Sequence, residues 1–406
     1  MNTLSVKIND FLYYIGVNDR QTQLFENQWP LERGVSYNSY VIKSTKTALL
    51  DTVKITKVDD FVTKLKEVLE GRDLDYLVIH HMEPDHSGAI ETIIDLYPNV
   101  KLVGNKKTFE LLENFYDVKD NLVLVDDFDT LDLGEVSLKF VKTPMVHWPE
   151  SMVSYEEKSG ILFSQDAFGG FGALDGTIFD DEINWDLYKS ETRRYYSNIV
   201  GKFSKQVQAA LKKLEGFKIN MVCPVHGPVW RENPNKIIEC YDKWSKQETQ
   251  DGAVIVYGTM YGNTEMMAEA IARRLAERGV KNIKMFDVSK THKSYILNEI
   301  WEYKALILGS CTYNNDLFPL MSDLVNVLKM NKLQNRVVAV FGSYSWSGGA
   351  LKALKEFRDA SAMDIVETTV MDIVETTVET KSAPSKDDYM MLRQIADEVA
   401  DKLENK

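Results

Sequence analysis

The segment His80-His81-Met82-Glu83-Pro84-Asp85-His86 directly follows the apolar run Tyr76-Leu77-Val78-Ile79. Three later segments carry the same kinds of group, each after an extended apolar stretch: Val146-His147-Trp148, Ser164-Gln165-Asp166 and Pro224-Val225-His226-Gly227. His81, Glu83, Asp85, His86, His147, Asp166 and His226 offer nitrogen and oxygen donors and no thiolate. Such a set suits two borderline-hard metal ions, with one carboxylate able to span both. His80 is one position out of register with His81, so on an extended backbone it points the other way and falls outside the ligand set. Trp148, beside a ligand, and Tyr195 are candidates to line a small pocket; ordinary aromatic packing is the alternative for both. Phe168-Gly169-Gly170-Phe171-Gly172, just after Asp166, reads as a tight turn with aromatic walls.

A second chemical motif lies far downstream. Thr259-Met260-Tyr261-Gly262-Asn263-Thr264 separates the strand-like run Ala253-Val254-Ile255-Val256-Tyr257 from a helix expected near Glu265. Two threonine hydroxyls and successive backbone N–H groups at the positive end of a helix can surround a terminal phosphate. This T-x-x-G-N-T pattern resembles the phosphate loop of flavodoxins, which bind FMN. Two further strand ends are expected to complete that site. One contributes Ser310, Cys311, Thr312, Tyr313 and Asn314; the other contributes Ser343, Tyr344, Ser345, Trp346, Ser347, Gly348 and Gly349. No G-x-G-x-x-G stands in the strand-turn-helix setting that nicotinamide binding requires, so direct NADH oxidation is unsupported.

These motifs need two scaffolds. A chain of 406 residues with 44% hydrophobic composition has enough apolar material for two cores. In the first part, Tyr40-Val41-Ile42, Ala48-Leu49-Leu50, Lys101-Leu102-Val103 and Gly160-Ile161-Leu162-Phe163 read as strands. Between them, Lys57 to Glu70 reads as a helix with an apolar face. The polar stretch Lys243 to Asp251 is the best boundary, giving domains 1–250 and 251–406. Beyond it the order reads as a helix through Arg278, a strand near Ile283 to Phe286, a strand at Leu306 to Leu308, a helix after Pro319, a strand at Val337 to Val340 and another helix, which predicts an α/β doubly wound parallel sheet. Near the end, MDIVETTV occurs twice in succession, at Met363 to Val370 and Met371 to Val378. One copy is expected to form the last strand and the other to be an insertion.

Charge and cysteine usage narrow the function classes. The net charge of −13 argues against a phosphate-backbone binder, so nucleic acid is not an expected partner. Residues 251–406 hold 19 Lys and Arg against 22 Asp and Glu, leaving −10 on the first part, where the carboxylate-rich motif lies. Only Cys223, Cys240 and Cys311 occur, which is too few for a disulfide framework or a thiolate iron site. No leader-like segment or run of about 20 apolar residues is present, so the expectation is a cytoplasmic protein without membrane contact.

Taken together, H-x-E-x-D-H with separated His, Asp and His, followed by the flavodoxin-like loop, resembles the flavodiiron (A-type flavoprotein) family across nearly the whole chain. That resemblance implies an N-terminal metallo-β-lactamase-like αββα sandwich and a C-terminal flavodoxin-like domain. It implies FMN and two iron ions as cofactors: His81, Glu83 and His147 on the FMN-proximal iron, Asp85, His86 and His226 on the distal one, and Asp166 bridging. Hydrolytic relatives of this fold carry histidine at the position of Glu83, so the carboxylate points to iron rather than a zinc hydrolase. The implied activity is reduction of dioxygen to water, nitric oxide to nitrous oxide, or both. Electrons would come from an external donor, rubredoxin or reduced coenzyme F420. A homodimer or dimer of dimers is implied, since head-to-tail pairing brings one subunit's FMN to the other's irons. An electron-transfer or gas-binding protein without turnover would share the same motifs.

Overall fold

The computed structural model describes residues 5–362 and 371–404. The chain divides into two compact units, Met1–Ser245 and Lys246–Lys406. In the first, a seven-stranded mixed sheet runs in the order Val6–Lys7, Leu12–Tyr14, Tyr40–Lys43, Thr47–Leu50, Tyr76–Val78, Lys101–Gly104, Leu122–Leu124. A five-stranded sheet runs in the order Thr130–Asp132, Ser137–Lys142, Met152–Glu156, Ile161–Gln165, Met221–Pro224. Alternate side chains from both sheets, among them Tyr40, Ile42, Leu50 and Val78 from one and Leu138, Phe140, Ile161 and Phe163 from the other, form one buried cluster. Helices such as Val58–Leu69 add further buried faces, completing the αββα sandwich. That helix ends where Glu70 takes the left-handed conformation, a common helix stop.

The second unit has a parallel sheet in the order Ile283–Asp287, Gln250–Gly258, Tyr303–Tyr313, Val337–Tyr344, then Asp372–Ile373 and Val378–Lys381. This is the flavodoxin order, in which chain direction across the sheet reverses between the first and third strands. Crossover helices include Asn263–Glu277 and Lys293–Glu302, and Lys386–Glu404 packs against the sheet. The Met371 to Val378 copy of the repeat enters the sheet as two short pieces, both parallel to Val337–Tyr344, with Met371, Val374 and Val378 buried. The copy at Met363 to Val370 lies outside the described residues. No helix among the described residues is long and apolar enough to cross a membrane.

Candidate metal and flavin sites

Each metal-type residue sits where a strand of the sandwich ends. His81 follows Tyr76–Val78, and Glu83 immediately precedes a one-turn helix, Pro84–Ser87, that carries Asp85 and His86. His147 lies in the loop after Ser137–Lys142, Asp166 directly follows Ile161–Gln165, and His226 follows Met221–Pro224. All seven are buried. They gather into two donor groups, His81, Glu83, His147 and Asp166 in one and Asp85, His86 and His226 in the other, with donor atoms in each group within 4.8 Å of one another.

The distances show how the groups share Asp166. Its Oδ2 lies 3.3 Å from Nε2 of both His81 and His147. Its Oδ1 lies 3.3 Å from His86 Nε2 and 3.4 Å from His226 Nε2. Within the groups, Glu83 Oε2 is 3.0 Å from His147 Nε2, and the Nε2 atoms of His86 and His226 are 3.1 Å apart. Around an ion with bonds of about 2.1 Å, neighbouring ligand atoms stand roughly 3.0 to 3.4 Å apart. Both carboxylate oxygens of Asp85, together with Asp166 Oδ1, are buried without a hydrogen-bond donor among the described residues. Buried acceptors of this kind are costly unless a cation satisfies them. The donor chemistry therefore fits two ions with Asp166 between them.

In the protein alone, protons take up part of that charge. Burial opposes the charged form of His86, but Asp85 and Asp166 outweigh it and push the ring up to about 9. Burial likewise opposes a charged His147, and Asp166 and Glu83 raise it to about 10. Burial would raise Asp166, yet the facing imidazoles of His147, His86 and His81 hold it well below the usual carboxylate range.

Second partners orient the rings. His81 Nδ1 is 2.7 Å from Glu150 Oε1, and His226 Nδ1 donates to the carbonyl of Ser36 at 2.7 Å. His80 turns away from the donor groups and is held by Asp51 at 2.7 Å and Ser154 at 2.8 Å. Glu150, Asp51 and Ser36 are absent from the sequence-derived site; Glu150, three residues after His147, was the most visible of them. Trp148 packs its ring 5.1 Å from that of His81, edge to face. Tyr195 packs 5.4 Å from His226, and its buried hydroxyl has no hydrogen-bond partner among the described residues. It ends the helix Trp185–Tyr195, where the backbone widens into the π-helical turn Tyr196–Val200. Phe25, from the hairpin of Leu24–Phe25 and Trp29–Pro30, and Phe171 complete an aromatic wall around Tyr195 and His226.

In the second unit, the loop after Gln250–Gly258 and the strand end at Ser310 flank the reversal point, where a flavodoxin order opens its ligand crevice. Gly262, at φ 90°, starts the helix Asn263–Glu277, and its N–H donates to Thr259 Oγ1 at 3.0 Å. Thr264 Oγ1 meets Ser343 Oγ at 3.0 Å, tying the first loop to the third. Met260, Thr312, Asn314, Ser345, Trp346 and Ser347, with Asn315, line a cavity of about 190 Å³. A Cβ on Gly349 would fall 2.0 Å from the carbonyl oxygen of Asn315, so the second and third loops approach each other only because that residue is glycine. Tyr261 and Trp346 are 90% and 89% exposed, leaving aromatic faces free at the rim. Tyr313 and Met260 are also exposed, whereas Cys311 is buried. First-turn N–H groups, two threonine hydroxyls and exposed rings fit a phosphate and a planar ring system.

Comparison with known proteins agrees with both halves. Residues 35–227 match the ODP family beta lactamase and residues 255–394 match flavodoxin. Over 367 residues, 89% of this chain and 91% of the relative, the chain is 35% identical to a nitric oxide reductase of Moorella thermoacetica. It is 35% identical to an anaerobic nitric oxide reductase flavorubredoxin of Escherichia coli, of which it spans 74%. Among solved structures, rubredoxin oxygen:oxidoreductase of Desulfovibrio gigas superposes with a TM-score of 0.93 at 30% identity, covering 98% of each chain. The flavodiiron protein of Giardia intestinalis superposes with a TM-score of 0.91 at 25% identity, covering 98% of this chain and 96% of that one. The chain belongs to the flavodiiron (A-type flavoprotein) family. It is an oxidoreductase whose cofactors are FMN and a two-iron centre.

Proposed function

We propose that this flavodiiron protein accepts electrons from an external reduced carrier into FMN and uses them at two irons to reduce dioxygen to water, nitric oxide to nitrous oxide, or both. The observation that carries this reading is Asp166, whose two oxygens address separate imidazole pairs at 3.3 to 3.4 Å. On this reading His81, Glu83 and His147 hold the flavin-proximal iron, Asp85, His86 and His226 hold the distal iron, and Asp166 bridges them. The irons supply binding and reduction of the gas, and the protein supplies ligation, spacing and solvent exclusion. Phe25, Phe171 and Tyr195 exclude water beside His226. Burial and the nearby carboxylates keep Tyr195 protonated far above the ordinary phenol range, so its hydroxyl remains a hydrogen-bond donor.

The flavin is assigned to Thr259, Met260, Tyr261, Gly262, Asn263 and Thr264 for the phosphate, with Ser310 to Asn314 and Ser343 to Gly349 at the ring. Both gases are supported by relatives, one named for oxygen and one for nitric oxide. Rubredoxin as donor is supported by the Desulfovibrio gigas relative's name; reduced coenzyme F420 is the other candidate. A head-to-tail homodimer, or a pair of such dimers, brings FMN to the irons of the other subunit. Three free cysteines agree with a reducing, cytoplasmic setting.

The test is an anaerobic assay of natively purified protein. Iron and flavin are quantified, and reduced carrier is then titrated against each gas. About two irons and one FMN per chain with sustained gas consumption is the expected result. Oxidation of the stored electrons without further consumption would reduce the protein to a carrier, and stoichiometric zinc with negligible iron would point to a hydrolase instead.

A further inference from the structure

Glu150 belongs to neither donor group, yet it is 1% exposed and touches one of the assigned ligands. Its Oε1 accepts from His81 Nδ1 at 2.7 Å and from the backbone N–H of Met82 at 3.0 Å. An ionised carboxylate only accepts, so a proton between Glu150 and His81 resides on Nδ1, and a neutral ring in that tautomer presents its lone pair at Nε2. Nε2 is the atom that lies 3.3 Å from both Glu83 Oε2 and Asp166 Oδ2.

Glu150 is itself anchored. Asn105 Nδ2 donates to its carbonyl oxygen at 2.6 Å. The Oδ1 of the same asparagine caps the helix Lys106–Tyr116 by accepting from the N–H groups of Lys107 and Thr108. The imidazole is thus braced from behind by a chain of hydrogen bonds that ends on a helix cap. The other carboxylate oxygen, Oε2, is buried with no donor among the described residues. Glu150 also lines a cavity of about 510 Å³ that includes Lys106, Lys107, Lys142 and Lys213. Lys142 and Lys213 pair with Asp126 and Asp127 instead, and among the described residues no Lys or Arg pairs with Glu150. Among the described residues, His81 is therefore the one ionisable side chain that pairs with Glu150.

We propose that Glu150 is a positioning residue for the flavin-proximal iron. It fixes the tautomer and ring orientation of His81 and, through its unneutralised charge, makes the imidazole a stronger donor than a neutral partner would. The inference rests on His81 being an iron ligand. Carboxylate–imidazole–metal units generally lose about 10- to 100-fold in metal affinity or activity when the outer carboxylate is removed. A negative charge behind the ligand also favours the more positive oxidation state, so its loss raises the reduction potential of the centre.

The test compares wild type, Glu150→Ala, Glu150→Gln and His81→Ala as full-length protein matched for FMN content. Iron retention is read by chelator competition and the diiron potential by redox titration. Glu150→Ala is expected to weaken retention about 10- to 100-fold. Glu150→Gln retains an oxygen acceptor for both His81 Nδ1–H and Met82 N–H, so it restores most of the retention while the potential rises. A purely structural role would lower the melting temperature of both variants and leave the Glu150→Gln potential at the wild-type value, which overturns the proposal. So does wild-type retention in Glu150→Ala. If Glu150→Ala does not fold, the Glu150→Gln potential decides alone. His81→Ala separates the two levels: if it keeps both irons, the ligand assignment fails, whereas if it loses iron while the Glu150 variants match wild type, only the present proposal fails.

Discussion

Asp166 is where the two donor groups meet, and its neighbours make its substitution readable. Asp166→Asn keeps the shape but removes the charge that both imidazole pairs face, so iron occupancy should fall or the magnetic coupling between the irons should change strongly. The flavin loops belong to the other unit, and FMN content should stay within error of wild type. Mössbauer spectra of flavin-matched protein check this; unchanged spectra would refute the bridge. Protons and iron also compete for the same rings. With folded values of about 9 for His86 and about 10 for His147 against an ordinary 6.5, the imidazolium pairs stabilise iron-free protein fully below about pH 6.5. That contribution is lost as pH rises towards 10. The depressed Asp166 acts in the opposite sense, stabilising above the usual carboxylate range and failing in acid. Chelator-stripped protein should therefore melt at progressively lower temperature between pH 6.5 and 10, while iron retention improves over the same range because ligand binding expels protons. Calorimetry of the stripped protein across that range tests the first half, and a rising melting temperature would contradict it.

At the scale of elements, the tandem MDIVETTV and the glycine of the third flavin loop give separate predictions. Removing either copy of the octapeptide yields the same polypeptide, since the copies are identical and adjacent. The shortened chain can still supply Met, Val and Val at the buried positions now filled by Met371, Val374 and Val378. An eight-residue shift is even, so inward and outward faces of the strand are preserved, and eight residues change loop-closure entropy only slightly. The deletion variant should fold, bind FMN and both irons, and turn over gas within about threefold of wild type. Loss of flavin or of the native oligomeric mass would show that both copies are required. Gly349→Val is the converse case. Its Cβ meets backbone at 2.0 Å, so the second and third loops must separate. Flavin retention in this variant should drop at least tenfold on dialysis, with iron content unchanged. Element positions were largely legible: strands at 40–42, 48–50, 76–79 and 101–103 fall on observed strands because apolar runs punctuated by polar turns are a local signal. The helix Lys293–Glu302 was not read, and a parallel sheet required a crossover there.

For the whole molecule, the proposed head-to-tail pairing makes a mixing experiment decisive. A subunit carrying Asp166→Asn retains FMN, and one carrying Gly349→Val retains iron. In a head-to-tail heterodimer, the flavin of the first faces the intact irons of the second. Co-refolding or co-expression of the two inactive variants should therefore restore gas turnover up to about half of wild type per heterodimer, since one of two electron routes is whole. If mixed dimers form, as shown by differential tagging, and no turnover returns, electrons do not cross between subunits as proposed.

The seven donor residues that gather into two groups stand out in the sequence because metal chemistry restricts residue type and because each motif is local to one strand end. Family membership followed from that order of motifs. What tertiary structure alone decided was which atom faces which partner. The division of Asp166 into one oxygen for His81 and His147 and another for His86 and His226 depends on strands brought side by side by two sheets. The same holds for Glu150, which reaches His81 across 69 residues of chain, and for Ser36, whose carbonyl orients His226 across 190. Contacts at such separations leave no periodicity or spacing in the sequence, since they arise from packing rather than from the conformation of any one segment.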